Sequence, residues 1–172
     1  MKKETRSELD FLMDKYERKL GEAKRKQERL KTEEDAFLSE FRQLRNELIR
    51  PVMEDFGNHL KTRGHEYRIY DEEESVDFEG RTRYERITME IFPAGIDRSA
   101  YRSDSTPSIS FAVIRYNKKI SVHSSNILPN RGGTAGSRGE FDVKEITSDL
   151  VEREVLAALK EKNCTVITDE SS

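Results

Sequence analysis

The segment Arg131-Gly132-Gly133-Thr134-Ala135-Gly136-Ser137-Arg138-Gly139 holds the residue types closest to a binding chemistry. Its glycines would let backbone N–H groups converge on an anion, and Arg131 and Arg138 would add positive charge at either end. The chemistry would be phosphate recognition. A nucleotide-binding P-loop, however, closes with Lys-Ser/Thr at the start of a helix, whereas this segment runs into Glu140 and the strand-like Phe141. It therefore reads first as a flexible connector. Its second reading is an anion site on Arg131, Gly132, Gly133 and Arg138, which would make the chain a small anion- or nucleotide-binding regulatory domain.

Other constellations are weaker. His59, His65 and His123 lack the i, i+4 spacing that brings two metal ligands together, so no metal site is expected. Ser121, Ser124 and Ser125 lie near His123, but no nucleophile elbow or orienting acid accompanies them, and no catalytic residue is assigned. The run Asp71-Glu72-Glu73-Glu74 lacks the alternating ligands and glycine of a calcium loop. Arg81, Arg83, Tyr84, Arg86, Arg98, Tyr101, Arg102, Arg115 and Tyr116 mix cations with aromatics as RNA-binding sheets do, yet Glu79, Glu85, Glu90 and Asp97 interleave with them and cancel much of the field. Nucleic acid is not an expected partner, no cofactor is expected, and the chain reads as a non-enzyme.

These residues must be positioned by a chain of 172 residues, 38% charged and 34% hydrophobic, with a formal net charge of −3. That balance suits a largely solvated molecule with one modest core and no overall field for a polyanion. Acidic residues follow Met1-Lys2-Lys3 where a secretory signal needs an apolar run, and no stretch approaches the roughly 20 apolar residues of a membrane span. With Cys164 alone, a cytoplasmic location and no membrane contact are expected.

The most regular pattern is a heptad row. Met13, Leu20, Gln27, Glu34, Phe41 and Leu48 fall at a, and Leu9, Tyr16, Ala23, Leu30, Phe37 and Leu44 at d. Leu20, Leu30, Phe37, Phe41, Leu44 and Leu48 would form the seam of a coiled coil, with Gln27 and Glu34 fixing register. The stretch Thr32-Glu33-Glu34-Asp35 resembles a helix start and would allow a hairpin, but no Gly, Asn or Pro supplies a loop there, which favours one continuous helix. Pro51 should kink or restart it.

A second helix is expected through Val52, Met53, Phe56 and Leu60, stopped by Gly64. Alternation then predicts antiparallel strands around Tyr67–Ile69, Ile87–Ile91, Ile109–Val113, Ile120–Val122 and Phe141–Val143, with a tight turn at Asn117-Lys118. Thr147-Ser148-Asp149 caps a helix with Leu150, Val151, Val155, Leu156 and Leu159 on one face, and residues 164–168 suggest a short last strand.

The expected fold is α+β, a coiled-coil arm over 1–50 and an antiparallel-sheet domain over 51–168 with a helix before and after the sheet, then a frayed tail over 169–172. Two helices would cover one sheet face. Ser110, Ala112, Ile114, Tyr116, Ser121 and His123 would line the other, more open surface. The functional expectation is an interaction or adaptor protein that forms a homo-oligomer through its helix and offers its sheet domain to a protein partner.

Overall fold

The computed structural model describes residues 1–170, with side chains through Leu159. The chain divides into two compact units at Phe37/Leu38.

The first unit is helical. Helix α1 runs over Lys3–Leu44, and Thr32 sits inside it, donating its hydroxyl to the Glu28 carbonyl at 2.9 Å, so there is no hairpin. An interior rich in Lys, Glu, Arg and Leu, with Gly21 its only glycine, favours this continuity.

The second unit begins within the same helix. Leu38 and Phe41 are buried, and Phe41 and Ile49 are fully so. A π-helical turn over Arg45–Ile49 leads without a break into helix α2, Arg50–Thr62. Pro51 lacks the donor an α-helix needs and its ring crowds the carbonyl of residue i−4. The π turn absorbs both through one extra residue, with the Arg50 N–H donating to the Arg45 carbonyl. The backbone is therefore widened at Pro51 rather than interrupted. The segment 38–50, expected in the arm, supplies core side chains to the sheet unit.

Helix α2 stops at Gly64, whose φ of +87° favours glycine. The Arg63 and His65 N–H groups both donate to the Leu60 carbonyl, which satisfies an orphan acceptor at the helix end.

Five strands follow in an antiparallel meander: β1 (Glu66–Glu72), β4 (Arg86–Phe92), β5 (Ser108–Ile114), β6 (Lys119–Ser125) and β7 (Ala135–Phe141) in spatial order. A small hairpin of β2 (Ser75–Val76) and β3 (Thr82–Arg83) is inserted between the first two. The fold is α+β, as the alternation predicts. Ile87, Met89 and Ile91 face one side beside Ile109, Phe111 and Val113, then Ile120 and Val122. All eight are buried, and with Phe41, Ile49 and Met53 they form the core.

Helix α3 covers Ser148–Glu170, capped by the Thr147 hydroxyl accepting from the Leu150 N–H at 3.2 Å. It runs through residues 164–168, where a strand was expected, and of the expected tail residues 169 and 170 are helical while 171 and 172 lie outside the described residues. Its buried positions are Leu150, Val151, Glu154, Val155 and Ala158. That three-and-four spacing turns Leu156 outward, 43% exposed, and brings Glu154 in.

Candidate functional site

The face of the sheet opposite the core carries Ser110 and Ala112 from β5 beside His123 and Ser121 from β6, as strand alternation predicts. Ala112 and Ser121 are nevertheless buried, and so is Thr88, whose hydroxyl lies 2.9 Å from that of Ser110.

At the β1 edge this face becomes charged and aromatic. Arg68 and Glu90 are register partners, and Nε and Nη2 of Arg68 donate to Oε2 of Glu90 at 3.1 and 2.7 Å. Tyr70 donates its hydroxyl to Oε1 at 3.0 Å. Burial, then this hydrogen bond and the carboxylate's charge, push the Tyr70 phenol up to about 12. Glu90 is 7% exposed, so the three side chains form a satisfied network.

The segment after β4 folds back beside them. Tyr101 meets Phe92 edge to face at 5.1 Å between centroids, and the Arg98 guanidinium sits 3.5 Å over the Phe92 ring while pairing with Glu66 at 2.5 Å. Together these groups bound an open hollow of about 390 Å³ with aromatic walls and cationic rims.

A second cluster lies where the π turn meets the sheet. Glu85, 4% exposed, accepts from Nε of Arg42 at 2.9 Å and from Nη1 of Arg45 at 3.0 Å. Asp71 accepts from Arg50 at 2.6 Å and lies 3.8 Å from Arg45. Residues five apart point well away from one another on an α-helix, and the wider π turn is what lets Arg45 and Arg50 reach the same carboxylate. Arg115 pairs with Glu74 beside them, and these side chains, with Arg42, Arg45, Asp71 and Glu85, line a hollow of about 740 Å³. Each arginine here is matched by an acid, so the arrangement clasps helix to sheet. Nothing in the sequence pattern announced it, because every ion pair in it joins distant segments.

The Gly-rich segment is not a single connector. Residues 135–139 belong to β7, and Arg138 is the extra residue of a bulge between Val122 and His123 of the neighbouring strand. The bulge aims Arg138 at α3, where its Nε donates to Glu154 at 3.0 Å. Arg131 lies exposed in the turn ahead, which is closed by the Leu128 N–H donating to the Gly132 carbonyl. Gly133 is required there, since φ is +149° and a Cβ would fall 2.7 Å from Oδ1 of Asn126. Turn and bulge geometry thus account for Gly132, Gly133 and Gly139, and the two arginines sit on different elements.

The His65 Nδ1 accepts from the Ala94 N–H at 3.0 Å, while His59 and His123 are exposed. Among the described residues no group of three or more His, Cys, Asp and Glu could hold a metal, and no helix is long and apolar enough to cross a membrane.

The helical stripe divides. Leu9, Met13, Tyr16, Leu20 and Leu30 are 46, 45, 59, 56 and 46% exposed. Phe37 and Phe41 are buried, and Leu44 and Leu48 are half-buried. Of the six residues expected to make an association seam, Leu20 and Leu30 therefore present free surface, whereas Phe41 belongs to the core.

No protein-family model, characterised protein or solved structure matches the chain.

Proposed function

We propose that the chain is a non-enzymatic, cytoplasmic interaction protein that self-associates through residues 9–34 of its N-terminal helix and presents the open face of its sheet unit to a macromolecular partner. The observation that carries this reading is the exposed a/d stripe Leu9, Met13, Tyr16, Leu20 and Leu30. A helix gains little stability from propensity alone, and most of it comes from packing of an apolar face. Contiguous exposed apolar surface of this kind marks an interface. The hollow beside Phe92 and Tyr101, with Arg68 and Arg98 at its rim, supports the sheet face as the second contact surface.

Light scattering on the full chain tests the proposal. The wild type is expected at a multiple of 20.1 kDa, and Leu20→Glu with Leu30→Glu at the protomer mass with the unfolding midpoint of the sheet unit unchanged. A wild-type protomer mass at the highest attainable concentration would overturn the self-association reading.

A further inference from the structure

We infer that the occupant of the exposed stripe is a second copy of the same helix lying antiparallel, with Leu20 facing Ala23 of the partner subunit and Met13 facing Leu30 of the partner subunit. This inference rests on the self-association proposed above and adds its orientation and register.

The flanking charges decide the orientation. With Leu20 at a, the e positions are Asp10, Glu17, Lys24 and Lys31, and the g positions include Lys19 and Lys26. In a parallel, in-register pair, g residues meet the e residues five positions further along. Lys19 then meets Lys24, Lys26 meets Lys31, and Glu34 faces its own copy in the seam. Every charged pair in that arrangement is repulsive.

Turning one helix around makes e meet e and g meet g. The acidic half of each e row then faces the basic half of the other, Asp10 against Lys31 and Glu17 against Lys24, each twice by symmetry. The only like-charged contact is Lys19 with Lys26, also twice, so attraction outnumbers repulsion. Tyr16 falls opposite Gln27, within reach of a hydroxyl–amide hydrogen bond.

Exposure fixes the register. In the pairing of Leu20 with Ala23, the apolar residues placed in the seam are Leu9, Met13, Tyr16, Leu20, Ala23 and Leu30, all exposed in the protomer, with the half-buried Glu34 at either end opposite Leu9 rather than its own copy. A shift by one heptad towards the C-terminus keeps a similar charge balance but needs Phe37 opposite Met13, and Phe37 is 5% exposed, while the opposite shift sets Glu17 against Glu17, Lys19 against Lys19 and Lys3 against Lys31.

Charge reversal on the full chain separates the two orientations, read as a dissociation constant by sedimentation equilibrium. Lys24→Glu places Glu against Glu17 in the antiparallel pair and should raise the constant about tenfold, whereas in a parallel pair it would meet Lys19 and tighten binding. Glu17→Lys added to Lys24→Glu should restore the wild-type value. A Lys24→Glu constant that falls or stays unchanged overturns the antiparallel register while leaving self-association standing. A monomeric wild type overturns both.

Discussion

Arg42 and Glu85 meet across 43 residues of sequence, with guanidinium Nε and Nη2 at 2.9 and 3.1 Å from the two oxygens of a carboxylate that is 4% exposed. Because Arg45 shares that carboxylate and its own side chain is only 13% exposed, Glu85 holds two cations of the helix against the sheet.

Removing Glu85 leaves Arg45 largely desolvated without this partner. Glu85→Ala should therefore cost about 2–3 kcal/mol, less than a fully buried pair because Arg42 is 56% exposed and keeps much of its hydration. Urea denaturation reads the loss. Arg42→Ala should cost much less, and equal costs for the two would show that burial does not govern the cluster.

Arg138 and Arg131 should behave differently although both flank the same glycines. Arg138→Ala removes the hydrogen bond to the buried Glu154 carboxylate, leaving the exposed Arg153 3.7 Å away, and is expected to cost about 1–3 kcal/mol. Arg131→Ala, in an exposed turn, should stay within about 0.5 kcal/mol. Chemical denaturation of the two single variants checks the contrast, and a harmless Arg138→Ala would show that its contact with Glu154 does not stabilise the unit.

The Tyr70 phenol gives the sheet face a pH dependence at the alkaline end. Its folded-state pKa of about 12 lies above the ordinary value of 10.0, so the folded chain keeps a proton that the unfolded chain releases. Its contribution is full below pH 10 and is lost as pH rises towards 12. Tyr70→Phe lacks the phenol proton and with it the hydrogen bond to Glu90, which is one cause of the raised pKa and is worth about 1 kcal/mol at neutral pH. The stability gap between wild type and Tyr70→Phe should accordingly narrow between pH 10 and 12. A gap that holds constant across that range would mean Tyr70 titrates normally.

What the sequence made legible follows the range of the forces involved. Strands β1, β4, β5 and β6 are visible because a strand with one apolar, core-facing side carries a period of two locally, as in Ile87–Ile91 or Ile109–Val113. The open face follows from the same alternation. The stripe through Phe41 is equally regular, but a three-and-four period says only that a face is covered, not by what. Phe41 is covered within its own unit, while Leu20 is exposed. Strand β7 hides behind glycines that read as loop, because its bulge and its pairing with β6 are set by a neighbour rather than by its own residues. The Glu85 cluster is illegible for the same reason. Its arginines look like ordinary solvated helix residues until the π turn at Pro51 aligns them on one wall.

Gly57 shows a close approach of the same long-range kind. It sits inside α2, where glycine costs about 0.5–1 kcal/mol relative to alanine, yet it is buried. A Cβ there would fall 2.4–2.5 Å from three carbons of the Tyr67 ring on β1. The ring is held in place, since its hydroxyl donates to Oδ1 of Asn58 at 3.0 Å and Nζ of Lys61 lies 5.2 Å from its centroid. Gly57→Ala should thus destabilise by about 1–3 kcal/mol despite improving helix propensity, as overpacking does. In a Tyr67→Ala background the obstruction is gone and the same change should stabilise by about 0.5–1 kcal/mol. Thermal or urea unfolding of the four proteins in this cycle measures the coupling, which must reverse the sign of the alanine substitution. Equal effects in both backgrounds would mean that the ring yields freely and that Gly57 serves some other need of the helix.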